Sequence, residues 1–152
     1  MWQRLARREK VAGEFLGYLG NRFPLLVREA DTPAREAQLK TMAGIIVWWA
    51  TRVECVSALC RREREGHLSP EAIQAAMARL NALDRQWLVV SPSQVILSRA
   101  ERLLKIHPLR AADAMQLAAA LLATREEPEN STFHTADARL ALAAGKEGFT
   151  TL

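Results

Sequence analysis

Cysteine is nearly missing from these 152 residues, with only Cys55 and Cys60 present. The two stand five apart in a stretch that reads as helix, so they point in different directions. Neither a disulfide nor a zinc site is suggested, and a reduced, cytoplasmic setting is expected. Long apolar runs are missing too. None reaches the roughly 18 residues that a membrane-crossing helix needs, so no membrane partner is expected. MWQRLARREK at the amino end is basic, but no apolar stretch with a small-residue cleavage site follows it. A secretory leader is therefore not expected. No internal repeat, low-complexity segment or linker breaks the chain. A single domain over residues 1–152 is expected, long enough to bury a real core.

What is present is ordinary globular composition: 49% hydrophobic and 25% charged residues. The formal charge of +4 and the isoelectric point near 9.6 permit a polyanionic partner without demonstrating one. Arginine is concentrated in RLARR (4–8) and RREREG (61–66). Such runs serve equally as solvated helix faces.

Residues 1–13 read as helical or frayed. EFLGYLGNRFPLLV (14–27) fits a strand and a broken helix equally, because Gly17, Gly20 and Pro24 interrupt it. A helix is expected from Thr32 as N-cap and Pro33 to Gly44. IIVWW (45–49) has the pattern of a strand buried on both faces. Next comes a helix from Thr51, with Thr51 and Glu54 as a capping box and Gly66 as the stop. Another follows, capped by Ser69 with Pro70 in its first turn. WLVV (87–90) reads as a strand, and a helix then starts near Ser91–Ser93. After a break at His107–Pro108 a helix is expected from Leu109 to Ala123. TFHT (132–135), a short helix closing on Gly145, and FTTL complete the chain. Strands alternating with helices imply an α/β domain with a mainly parallel sheet.

One residue stands out. In HPLRAADAMQLAAALL (107–122), Asp113 lies within an otherwise apolar helix. A buried carboxylate costs several kcal/mol unless something pairs with it or binds it. Two further acids fall just past strand ends: Glu54 after IIVWW and Asp137 after TFHT. In open α/β sheets that rim is where ligands bind. Three carboxylates held together repel one another, and a hard divalent cation, Mg²⁺ or Mn²⁺, removes the conflict. Each acid also has a structural reading. Glu54 suits the capping box, Asp113 suits pairing with Arg110 or with the helix N-terminus, and Asp137 suits an N-cap.

TRVECVSALCRRER, HPLRAADAMQLAAALL and FHTADARLALAAGKEGF resemble three successive motifs of the PIN domain family. The likeness is greatest to the ribonuclease toxins of bacterial toxin–antitoxin pairs, the VapC type. It runs from about residue 33 to the carboxyl end, with residues 1–27 atypical. The resemblance implies a three-layer α/β/α sandwich with a mainly parallel sheet. It also implies metal-dependent endonuclease activity on RNA at an acidic Mg²⁺ or Mn²⁺ cluster. By their motifs, Glu54, Asp113 and Asp137 match three of the family's four acids as catalytic and metal-binding residues, and Thr135 matches a supporting hydroxyl. Arg52, Arg61 and Arg62 are candidate RNA contacts. A homodimer and a small antitoxin partner are further implications.

The family's remaining acid, an Asp ending the first strand, has no counterpart here. The corresponding stretch, FLGYLGNRFPLLV, contains no acid, and the position falls near Gly20 or Asn21. Glu14, Glu29 and Asp31 are the nearby acids, and none matches. This departure keeps open an alternative: a catalytically weak or inactive module that binds RNA or an antitoxin. The histidines His67, His107 and His134 are scattered and read as structural. Trp48 and Trp49 read as strand core, and Trp87 as a residue starting a strand.

Overall fold

IIVW adopts the extended form that its branched and aromatic side chains favour. It belongs to a computed structural model that describes Gln3–Arg4, Glu14–Leu16 and residues 45–152. The strands are β1 (Gln3–Arg4), β2 (Glu14–Leu16), β3 (Ile45–Trp48), β4 (Trp87–Val90), β5 (Thr132–His134) and β6 (Thr150–Thr151). The helices are α1 (Thr51–Arg64), α2 (Pro70–Asp84), α3 (Gln94–Ile106), α4 (Ala111–Ala123) and α5 (Ala138–Lys146), with a 3₁₀ turn at Pro128–Asn130. The strands form one sheet in the order β1-β4-β3-β2-β5-β6, and every pairing is parallel. The expected α/β class with a parallel sheet is what the structure has. The helix expected over Thr32–Gly44 lies outside the described residues.

Both faces of β3 and β4 are buried. Ile45, Val47, Trp87 and Val89 pack with Cys55 and Leu59 of α1 and Ala76 and Leu80 of α2. Ile46 and Val90 pack the other way, with Ile96 and Leu103 of α3, Leu117 of α4 and Leu140 of α5. This two-sided burial explains the unbroken apolar runs of β3 and β4. Ala114, Ala118, Ala119 and Ala120 of α4 are all buried, and their small side chains let it pack closely with its neighbours.

Helix ends follow the local chemistry with two exceptions. The Ser69 hydroxyl caps α2 by accepting the Ala72 N–H at 3.2 Å, with Pro70 in the first turn. Ser69→Ala is expected to cost about 1 kcal/mol in urea unfolding. Ser93 caps α3 in the same way. Gly66, at φ +73°, follows the end of α1 as expected. The Thr51–Glu54 capping box does not form. Ala50 is the N-cap and makes no side-chain bond, because the chain turns from β3 directly into the helix and Thr51 is already its first residue. At the other end of the chain, α5 continues through Gly145, and the left-handed glycine is Gly148 at φ +101°. A Cβ there would lie 3.0 Å from Pro128 Cγ.

Two further expectations change. Trp49 is not strand core: β3 stops at Trp48, and Trp49 sits in the turn with 60% of its surface exposed. Gln3–Arg4 is a strand rather than helix, and Glu14–Leu16 resolves as a strand.

Candidate functional site

β2 lies between β3 and β5, so the sheet order reverses beside it. Clefts in open α/β sheets form where the order reverses, outside the carboxyl ends of the strands. Glu54 is one turn into α1, which follows β3. Asp137 is the N-cap of α5, which follows β5. Asp113 is in the first turn of α4. The fold brings the three acids into one electrostatic neighbourhood: Asp113 acts on Glu54, and Asp137 acts on Asp113.

Each acid is held differently. Glu54 Oε2 accepts the Gln116 Nε2–H at 2.9 Å and the Trp48 Nε1–H at 3.3 Å. Burial nonetheless raises its pKa above the ordinary value, against those two donors, and Asp113 adds to the rise. Asp113 is only 7% exposed. Its pKa is raised by burial first and by Asp137 second, while the Arg110 backbone N–H and the Arg110 and Arg139 charges oppose the rise. Both structural readings of Asp113, the helix N-terminus and Arg110, are therefore present alongside its place among the acids. Asp137 is also a genuine cap: Oδ1 accepts the Arg139 N–H at 2.8 Å and the Leu140 N–H at 3.0 Å. The Leu140 bond is the main cause of its lowered pKa. Thr135 supports this corner, its hydroxyl accepting the Asp137 N–H at 3.2 Å.

The candidate arginines are placed less centrally. The Arg52 guanidinium pairs with Asp84 and bonds Asn81 Oδ1 at 2.8 Å, tying α1 to α2. Arg61 and Arg62 lie in the last turn of α1, about 10 Å along its axis from Glu54. The cations that act on the acids are Arg110 and Arg139, the latter 3.7 Å from Asp137 Oδ2. Arg110 is the partner the sequence offers Asp113, three residues before it, whereas Arg139, two residues after Asp137, is not among the residues the sequence points to. Gln116 was missed as well. Its signal was spacing: three residues after Asp113, it shares that residue's face of α4.

His107 and His67 are paired with other acids. Buried His107 bonds Glu147 Oε1 at 2.7 Å, just past the end of α5 remote from Asp137. His67 pairs with Glu65 at 3.3 Å. Both cysteines are free thiols, and burial pushes Cys55 up to about 12, so it stays protonated.

Gly20 and Asn21, where the resemblance puts the fourth acid, lie outside the described residues, and the described strand that precedes them, β2, ends at Leu16. Leu16 is in register with Val47 of β3 and His134 of β5. Leu16 and the residues after it, Gly17, Tyr18 and Leu19, include no carboxylate. Glu14 is at the opposite end of the strand, in register with Ile45 and Thr132. Glu29 and Asp31 lie outside the described residues. Among the described residues, no group of three His, Cys, Asp or Glu side chains is arranged to hold a metal ion. Two neighbouring carboxylates with raised pKa values still suit a hard cation. Mg²⁺ commonly takes one or two carboxylates and keeps several waters. The donors that Glu54 and Asp113 offer are oxygens of the kind such an ion takes.

The raised pKa values have a consequence for stability. Glu54 and Asp113 bind protons more tightly folded than unfolded. Their contribution is fully present below the ordinary carboxylate values of 4.5 and 3.8, and is lost as pH rises through the raised ones. In chelator at pH 7, Asp113→Asn is expected to melt higher than the wild type. The gap should close as the pH is lowered into the carboxylate range. A variant that melts lower at pH 7 would contradict the assignment.

No helix among the described residues is long and apolar enough to cross a membrane. No family model matches the chain, and no curated protein matches it. Among solved structures it is similar to the crystal structure of PAE2754 from Pyrobaculum aerophilum, with a TM-score of 0.66 and 18% identity over 93% of this chain and 92% of that one. At that identity the likeness is one of fold: this chain shares its α/β architecture with the Pyrobaculum protein over nearly the whole length of both.

Proposed function

We propose that the protein is a metal-dependent endoribonuclease of the PIN, VapC-like type, with Glu54, Asp113 and Asp137 as its acidic cluster. The observation that carries the reading is the coupling of Asp113 to both other acids, from three separate segments of the chain. Helices packed on both faces of the parallel sheet support the three-layer α/β/α arrangement that this reading requires.

In this mechanism Glu54 and Asp113 would hold Mg²⁺ or Mn²⁺, and Asp137, which caps α5, would add negative charge beside them. When bound, such a cation acidifies a water and neutralises charge on the phosphoryl group. Asp113, whose pKa is raised by burial and by Asp137, would offer its carboxylate to the cation. Arg110 and Arg139 flank the acids and draw the RNA backbone toward them, which positions the strand without reading its sequence. Arg52, Arg61 and Arg62 would serve a longer stretch of backbone along α1. A homodimer and a small antitoxin belong to the same proposal.

One observation favours the alternative of a catalytically weak module: the carboxyl end of β2 lacks an acid. Incubating the protein with single-stranded RNA and Mn²⁺, with and without chelator, separates the two. Chelator-sensitive cleavage is expected. RNA left intact, while the protein binds it, would favour the module.

A further inference from the structure

The side chains holding Glu54 are arranged in a way that the acids themselves do not require. Gln116 is 4% exposed, within the apolar face of α4, and a buried amide there needs a partner. It reaches across to α1 and gives Nε2–H to Glu54 at 2.9 Å. A carboxylate only accepts, so the amide nitrogen must face it. Trp48, the last residue of β3, gives its indole N–H to the same oxygen at 3.3 Å. Two donors from two elements thus converge on Oε2. Among the described residues, no hydrogen bond reaches Oε1.

We infer that Gln116 and Trp48 are positioning residues for a cation. Together they occupy Oε2 and fix the Glu54 rotamer, which leaves Oε1 for a cation. This rests on the reading of Glu54 as a cation ligand. Donors behind a ligating carboxylate orient it and raise metal affinity, and their removal typically costs 10–100-fold. Asp113 and Gln116 lie three residues apart on α4, so one helix face supplies both a carboxylate and the donor that aims its neighbour.

The test is a Mn²⁺ titration of the full chain, followed by the electron paramagnetic resonance of the free ion, for the wild type, Glu54→Gln, Gln116→Met and Trp48→Phe. Gln116→Met keeps the side chain's length and removes the donor. Trp48→Phe keeps a ring and is the second route should the first variant fold poorly. Glu54→Gln is expected to lose most of the binding, Gln116→Met about tenfold in affinity, and Trp48→Phe less in the same direction. In the wild type, Mg²⁺ should also shift the indole N–H resonance that is absent from the Trp48→Phe spectrum. Wild-type affinity in both Gln116→Met and Trp48→Phe, with Glu54→Gln impaired, would overturn the positioning role and leave the cation reading standing. Wild-type affinity in Glu54→Gln, or no binding by the wild type, would overturn both.

Discussion

Asp113→Asn is expected to lower Mn²⁺-dependent cleavage of single-stranded RNA by about 100-fold or more. Residues that merely orient a metal ligand account for 10–100-fold, so a ligand belongs at or above the top of that range. The substitution is nearly isosteric. Asparagine can still accept the Arg110 backbone N–H through its side-chain oxygen, so the start of α4 should stay intact. What disappears is a negative charge that is 7% exposed and repelled by Asp137. Activity should therefore fall while stability at neutral pH rises. A purely structural aspartate predicts the reverse: unchanged cleavage and a neutral or mild loss of stability. Equal cleavage by the two proteins would overturn the assignment.

Phe133→Ala is expected to cause the largest loss of stability, about 3–5 kcal/mol. Phe133 is 1% exposed on β5, and its ring centroid lies 5.6 Å from that of Phe149 at an interplanar angle of 59°. That tilted geometry adds to the area buried. It belongs to a core cluster built from α3, α4 and α5, so the cavity left by alanine is enclosed by several elements. Total stabilities of 5–15 kcal/mol make this a large share. Urea unfolding should show a lower midpoint with an unchanged slope. Asp137 is carried by the segment that follows β5, so divalent-cation affinity should fall in step. A loss below about 1 kcal/mol would contradict the packing.

Much of this architecture is written in local patterns. IIVW and WLVV announce buried strands because parallel sheets bury both faces. Ser69, Ser93 and Asp137 announce helix starts because a side-chain oxygen there satisfies an otherwise unpaired N–H. The places of the acids are legible too: Glu54 and Asp137 follow strands, and Asp113 falls in the first turn of an apolar helix. What escaped depends on contacts between segments far apart in sequence. Thr51-x-x-Glu54 matches a capping box, yet Glu54 turns to Gln116, 62 residues away. The pairing of Arg52 with Asp84 of α2, 32 residues away, leaves no local signal either. Trp49 looks like strand core because the end of a strand is set by the turn after it, not by composition. The amino-terminal motif was the one stretch with no matching pattern, and β2 confirms only that a strand runs there.

The central claim is that Glu54 and Asp113 share a hard cation at the rim of the sheet. A crystal grown in Mn²⁺ and measured for anomalous scattering tests it most directly. One peak within ligand distance of the Glu54 and Asp113 carboxylates is expected. Density at both side chains with no peak between them, or a peak held elsewhere on the surface, would contradict it.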